Sequence, residues 1–216
     1  MAVLKSLEKI KNRLKNKERD YCIVVSGRER TGKSTFAAMI GDYIAEGKLK
    51  IDNICLTPRE FVKAVNNSKG GDVVIFDEAG TGLLSRESMS KGNRILVQMM
   101  QVIGCKYNCT ILCIPDFRMI DSYIRKGRVD LHFQIYRKGH YKAYNRRLME
   151  VLLDSKAGYK VKPSASGAFK DAFPARLRDK YKAKELKMKM LFVKNLYTQM
   201  EQMEQQQKKL EDDSDR

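Results

Sequence analysis

Long apolar runs are missing from this chain. The strand-like apolar runs, at residues 22–25, 73–76 and 111–114, fall far short of the roughly 20 residues that span a bilayer. The N-terminal segment also lacks the apolar core of a signal peptide, because Lys5, Lys9 and Lys11 interrupt it. We therefore expect no membrane span and a cytoplasmic location.

Cysteine pairs at metal-binding spacing are missing too. The chain has five cysteines but no C-x-x-C pair. Cys105, Cys109 and Cys113 lie four residues apart, but residues 109–113 are predicted to form a strand. The helical face that would bring these thiols together is therefore not expected. Free thiols in a reducing compartment are the better interpretation.

Acidic residues are few relative to basic ones. The chain has 26 Asp and Glu against 43 Lys and Arg, which gives a formal net charge of +17. Such a charge favours polyanionic partners, with nucleic acid first and an anionic membrane surface as an alternative. A general effect on solubility is the other interpretation that composition leaves open. The 216 residues, 43% of them hydrophobic, suffice for one full core plus appendages.

The most informative segment is residues 27–34, which match the phosphate-binding pattern G-x-x-x-x-G-K-[ST] at every fixed position. Residues 20–26 predict a buried strand before the loop, and residues 35–44 predict a helix after it. Backbone N–H groups of such a loop point at phosphate oxygens, and the helix N-terminus adds partial positive charge. We expect Lys33 to reach the β- and γ-phosphates and Ser34 to ligate Mg²⁺. The predicted nucleotide-binding residues are Gly27, Arg28, Glu29, Arg30, Thr31, Gly32, Lys33, Ser34 and Thr35, with ATP and Mg²⁺ as cofactors.

A second element, residues 72–78, is an apolar strand that ends in Asp77 and Glu78. In phosphoryl-transfer sites the first carboxylate holds Mg²⁺, and the second orients and activates the attacking water. The position of the pair, one strand and one helix after Lys33, favours this role over a surface turn. A water-activating Glu78 predicts hydrolysis. A kinase remains an alternative, because the chain has arginines for a mobile lid: Arg86, Arg94, Arg125 and Arg128.

Strand and helix patterns alternate along most of the chain. Strands are predicted at 20–26, 53–56, 72–76 and 110–114, and helices at 35–44, 57–66, 93–104 and 117–126. Thr57, Pro58 and Glu60 form a helix-start signal. Residues 129–136 and 140–146 alternate at period two around a turn at 137–139, which predicts an antiparallel hairpin. The expected fold is α/β, a mainly parallel sheet with an antiparallel hairpin at one edge.

Four segments are predicted from composition. Residues 1–17 form a basic amphipathic helix, and residues 18–157 form the core, which includes a Gly- and Ser-rich loop at 79–92. Residues 158–173 are interpreted as a linker. Residues 174–216 are interpreted as a helical arm with an acidic tail and an imperfect apolar stripe.

The phosphate loop at residues 27–34 and the strand that ends in Asp77 and Glu78 together resemble those of P-loop NTPases of the additional-strand, catalytic-glutamate group. The run from Ile75 to Gly80, a Ser-rich loop, a strand at 110–114, a helix with Ile124 and Arg125, and a hairpin resemble its HerA–FtsK-like branch. That branch includes viral DNA-packaging and Zot-like ATPases. The resemblance covers residues 18–146 and implies a RecA-like sheet in the core.

The resemblance implies an ATP-hydrolysing motor that packages or transfers viral or plasmid DNA, located in the host cytoplasm if the protein is viral. It implies a homo-oligomeric ring, a pentamer or hexamer, on double-stranded DNA, and the basic charge agrees with this. A transition-state arginine is expected, with Arg86, Arg125 and Arg128 as candidates. The hairpin's basic and aromatic residues are candidates for lining a pore: Arg137, Lys138, His140, Tyr141, Lys142, Tyr144, Arg146 and Arg147.

Three other functions stay open. The chain could be an ATPase that regulates or loads protein partners through its C-terminal helix. It could be a nucleotide kinase. It could also be a DNA-binding or scaffold protein that holds nucleotide without turnover.

Overall fold

The computed structural model describes residues 2–17, 19–77, 98–101, 103–153, 161–170 and 172–214. Glu78, Arg86, Arg94 and the predicted loop at 79–92 lie outside the described residues. The helices are α1 (Ala2–Lys15), α2 (Lys33–Ile44), α3 (Pro58–Asn67), α4 (Arg146–Leu153) and α5 (Ala175–Ser214). The strands are β1 (Tyr21–Gly27), β2 (Ile54–Cys55), β3 (Val73–Asp77), β4 (Cys109–Ile114), β5 (Leu131–Arg137), β6 (His140–Asn145) and β7 (Ala165–Ala168). Residues 98–101 are also helical.

One seven-stranded sheet organises the described chain, in the order β2-β3-β4-β1-β5-β6-β7. The strands from β2 to β5 are parallel, and β6 pairs antiparallel with both β5 and β7. The predicted α/β fold with a mostly parallel sheet, an antiparallel hairpin and a long C-terminal helix is confirmed. Strand β4 is buried along its whole length, as expected for a parallel strand with both sheet faces covered.

Two apolar clusters cover the two faces of the sheet. The first includes Leu7 of α1, Phe36 of α2 and Leu177 of α5. The second includes Phe61 of α3 and Met149 of α4. The sheet therefore lies between two layers, and α2, which follows the phosphate-loop motif, shares its face with α1 and α5.

Local sequence signals account for the start of α3. The Thr57 hydroxyl accepts a hydrogen bond from the Glu60 N–H at 3.1 Å, and Pro58 occupies the first helical turn. The Glu60 carboxylate accepts the Leu56 N–H at 2.8 Å. The Thr57 cap is the helix start that the sequence predicts, and it satisfies an N–H group that a helix end otherwise leaves unpaired. The Glu60 side chain bonds the Leu56 N–H, one residue before the Thr57 N–H that a capping box would use.

The chain between β4 and β5 forms two short turns rather than the single helix predicted at 117–126. A 3₁₀ turn spans Phe117–Met119 and a π-helical turn spans Ile124–Arg128. The Asp116 carboxylate accepts the Arg118 N–H, and the Asp121 carboxylate accepts the Tyr123 N–H, both at 2.8 Å. Each aspartate starts its own turn, which divides the segment.

The segment interpreted as a linker contains strand β7. The Phe169 N–H donates to the Gly139 carbonyl at 2.7 Å, and the Ser164 N–H donates to the Ala143 carbonyl at 2.8 Å. The outer strand of the hairpin is therefore paired on both sides. The sequence of β7, Ala-Ser-Gly-Ala, has no large apolar residue at alternate positions, so periodicity gives no strand signal there.

The first part of α5 docks on the core. The Arg176 guanidinium pairs with Asp42 and donates to the Leu49 carbonyl at 2.5 Å. Farther along, the Lys184 ammonium donates to the Ile54 carbonyl at 2.6 Å. We call residues 175–188 the root of α5. Among the described residues, no helix is both long and apolar enough to cross a membrane.

Candidate functional site

The predicted phosphate loop lies between the end of β1 and the start of α2. Two of its residues adopt left-handed backbone angles, Arg30 with φ of 61° and Gly32 with φ of 95°. A Cβ atom at Gly27 would lie 2.4 Å from the Ile135 carbonyl oxygen, so only glycine fits where the loop leaves the sheet. Left-handed residues of this kind curl the backbone, as anion-binding loops require.

Lys33 is the first residue of α2, and its side chain is buried. Its ammonium donates to the Arg28 carbonyl at 2.8 Å, and the Thr31 hydroxyl donates to the same carbonyl at 2.7 Å. The lysine therefore folds back across the loop. Burial lowers the pKa of Lys33, and nearby Cys113, Asp77 and Glu29 oppose that shift. An anion bound in the loop would likewise favour the charged lysine.

Asp77 ends β3 and is 1% exposed. It is in register with Cys113 of β4, which is in register with Val25 of β1. Two strand spacings, about 10 Å, therefore separate Asp77 from the end of β1. Because these strands are parallel, Asp77, Lys33 and Ser34 all lie at the carboxyl edge of the sheet.

Tyr181, on the root of α5, joins the two predicted metal ligands. Its hydroxyl donates to the Asp77 carboxylate at 2.6 Å, and the Ser34 side chain hydrogen-bonds the same hydroxyl. Its ring is buried and stacks on Phe173 with centroids 4.8 Å apart. Burial, followed by the charge of Asp77, raises the pKa of Tyr181 well above its usual value.

The donor set fits magnesium better than a softer metal. Ser34 and Asp77 offer oxygen ligands, and Mg²⁺ in proteins is typically held by one or two such groups together with substrate phosphates. Within the ranges that the structure describes, no three His, Cys, Asp or Glu residues lie close enough to hold a metal by themselves. Four buried cysteines of the described chain form no disulfide, Cys22, Cys55, Cys109 and Cys113, and burial raises the pKa of Cys55 to about 12.

Of the two candidate arginines that the structure describes, Arg128 lies at the other end of β1 from the loop, whereas Arg125 contacts the segment that follows β4. Arg128 pairs with Asp20, which precedes β1, whereas the loop follows β1. The length of β1, about 20 Å, separates these two ends. The Arg125 guanidinium donates to the Arg118 carbonyl at 3.1 Å. Arg128 therefore does not lie beside the loop of its own chain.

The hairpin residues divide between the core and the surface. Tyr144 is buried in the second apolar cluster, and Tyr141 packs against the first. Lys142 and Arg137 lie over the exposed ring of Tyr136, at 5.1 and 5.8 Å from its centroid. The tyrosines at 141 and 144 therefore support the sheet, and the basic residues form the outer surface.

Two residues that make polar contacts near the loop could not be identified from the sequence. One is Tyr181, whose position four residues after Leu177 marks it only as part of an apolar face. The other is His132, whose Nε2 lies 2.8 Å from the Ser26 hydroxyl while its ring stacks on Phe117. Burial lowers the pKa of His132 to about 3, so the imidazole is neutral at ordinary pH.

Comparison with protein-family models gives no match. Comparison with curated proteins gives none either.

Proposed function

We propose that this protein is a P-loop ATPase that binds Mg²⁺-ATP between residues 27–35 and Asp77. One observation carries the proposal: β4 lies between β1, which leads into the loop, and β3, which ends in Asp77. This order places a buried carboxylate opposite Ser34 at the carboxyl edge of the sheet.

Each side chain has a definite task in this proposal. When ATP binds, the Lys33 ammonium stops donating to the Arg28 carbonyl and donates to β- and γ-phosphate oxygens instead. Ser34 and Asp77 supply protein oxygens to Mg²⁺, which when bound neutralises the charge that develops on the phosphates. Tyr181 donates to Asp77 Oδ2, so a metal ion that takes this oxygen would displace the tyrosine hydroxyl. Glu78, assigned from sequence, holds and activates the attacking water.

We further propose that turnover drives movement of nucleic acid. The net charge of +17 and the resemblance to DNA-packaging and Zot-like ATPases support this role. The substrate would be double-stranded viral or plasmid DNA, and the working form would be a pentameric or hexameric ring. In such a ring Arg125 or Arg128 would act on a neighbouring copy's nucleotide.

The test is the ATPase rate of the full chain with and without double-stranded DNA, combined with a mass measurement in solution. We expect hydrolysis that needs Mg²⁺ and rises with DNA. Lys33→Ala should abolish it by weakening nucleotide binding, whereas Lys48→Ala, at an exposed lysine on the turn after α2, should not.

Each other outcome excludes a part of the proposal. Hydrolysis that survives Lys33→Ala would exclude the loop as the site. Hydrolysis by a monomer that ignores DNA at low salt would exclude the motor and leave an ATPase acting on proteins. Transfer of phosphate to an added nucleoside monophosphate instead of water would show a kinase.

A further inference from the structure

From residue 186 onward, overlapping the end of the root, α5 carries an apolar face that is largely exposed in the described chain. Its members are 41 to 67% exposed: Leu186, Met190, Val193, Leu196, Tyr197, Met200 and Met203. We call this set the arm stripe. Exposure of this many large apolar side chains in one contiguous patch is unusual for a surface that meets only water.

The arm stripe points away from the core. With about 100° of rotation per residue, it is centred roughly 130° around the helix from the face that docks Leu177, Tyr181 and Met188. If α5 stayed against the core beyond residue 188, the residues on the docked side of the helix would be others, such as Phe192 and Gln199, and not those of the arm stripe. The root therefore cannot bury the stripe against its own domain, and a separate surface is needed.

The spacing of the stripe predicts another helix as that surface. Leu186, Val193 and Met200 repeat every seven residues, as do Leu196 and Met203, the pattern by which two helices pack side by side. The exposed area of the stripe is roughly 800 Å², about what one partner contributes to a standard protein interface. A second helix of the same kind would match it in length and in area.

The charges on the same segment select the orientation. Residues 186–194 contain three lysines, Lys187, Lys189 and Lys194, and no acidic residue. Residues 195–207 contain Glu201 and Glu204 and no basic residue. Parallel pairing of two identical helices sets lysine near lysine. Antiparallel pairing centred on the stripe, between residues 194 and 195, sets the lysine-bearing half of each helix beside the glutamate-bearing half of the other.

We propose that two copies of this chain pair through their α5 helices in antiparallel orientation, with the two arm stripes buried against each other. The proposal rests on the exposure, spacing and charge of α5 and is independent of nucleotide binding. It gives the arm a partner, a second copy, whether or not further copies join through other surfaces.

The first test compares the solution mass of the full chain with that of two variants. The wild type should sediment as a dimer or an even multiple, which a hexameric ring satisfies and a single pentameric ring contradicts. Val193→Glu with Met200→Glu should break the α5 pairing, which halves the mass of a dimer and raises its dissociation constant at least about 100-fold. Leu191→Glu is the matched control, since Leu191 is 50% exposed but lies on the opposite side of the helix. A monomeric wild type, or equal effects of the stripe and control variants, would overturn the proposal. Unchanged far-ultraviolet dichroism confirms that the variants stay helical.

The second test measures orientation. A nitroxide label at Gln207→Cys, in a chain whose Cys105 is changed to Ser, reports the distance between the two copies. Antiparallel pairing centred on the stripe predicts about 35–40 Å, from the 1.5 Å rise per residue. Parallel pairing would place the labels roughly 10 Å apart, the distance between packed helices, and that result would refute the antiparallel dimer.

Discussion

Removing the Tyr181 hydroxyl should weaken the fold and tighten nucleotide binding at the same time. Tyr181→Phe keeps the ring that stacks on Phe173 but deletes the donor 2.6 Å from the Asp77 carboxylate. A buried hydrogen bond to a charged group contributes about 1.5–3 kcal/mol. Without nucleotide, we therefore expect the free energy of unfolding to fall by about that amount.

The opposite effect on binding follows from competition for the same oxygen atoms. If Mg²⁺ takes the Asp77 Oδ2 atom to which Tyr181 donates, the wild-type protein must break that bond when the metal binds. Because the variant has no such bond to break, its dissociation constant for Mg²⁺-ATP should fall by about 10- to 100-fold.

Calorimetric titration with ATP, in Mg²⁺ and again in EDTA, measures this effect. The gain in affinity should be large with Mg²⁺ and should shrink without it, since the metal is what needs Asp77. Tyr197→Phe is the control, because Tyr197 lies on the same helix and is 65% exposed. An unchanged or weaker affinity in Mg²⁺ would show that Tyr181 does not occupy the metal position, and would refute the reasoning.

Three further predictions follow from other residues. Glu78→Gln should abolish ATP turnover while leaving ATP binding intact, and a normal hydrolysis rate in a coupled assay would remove Glu78 from the role of water activator. Burial lowers the pKa of His132 to about 3. Between pH 7 and pH 5 the imidazole therefore takes up a proton in the unfolded chain but stays neutral in the folded chain. The free energy of unfolding should therefore fall by about 2 kcal/mol between pH 7 and pH 5, and His132→Phe should flatten that slope in urea titrations at each pH. Thr57→Ala removes the cap of α3 and should lower the free energy of unfolding by about 1 kcal/mol, whereas a change within error would mean that the Glu60 bond is dispensable.

Local elements are the part of this fold that sequence patterns predict well. The strand before Gly27, the helix after Lys33 and the cap at Thr57 each depend on residues within a few positions of one another. So does the placement of Asp77 at the end of an apolar strand. Where a segment has weak periodicity, as in β7 or between Phe117 and Arg128, the patterns give the wrong element or none.

Contacts between distant segments are the part that local patterns do not encode. Tyr181 and Asp77 are separated by 104 residues, and Ser26 and His132 by 106. Nothing near Tyr181 in the sequence distinguishes it from any other aromatic residue on an apolar helix face. Its role depends on how α5 packs across the carboxyl edge of the sheet.

By itself, the sequence determined a phosphate-loop pattern, a carboxylate at a strand end, a hairpin and a long basic-to-acidic helix, because each is set by local spacing and composition. Only the tertiary structure decided that β4 separates β1 from β3 and that α5 covers Ser34 and Asp77. It also decided which face of α5 stays exposed. These are outcomes of burying apolar surface on both sides of one sheet, and that burial acts between residues far apart in the chain.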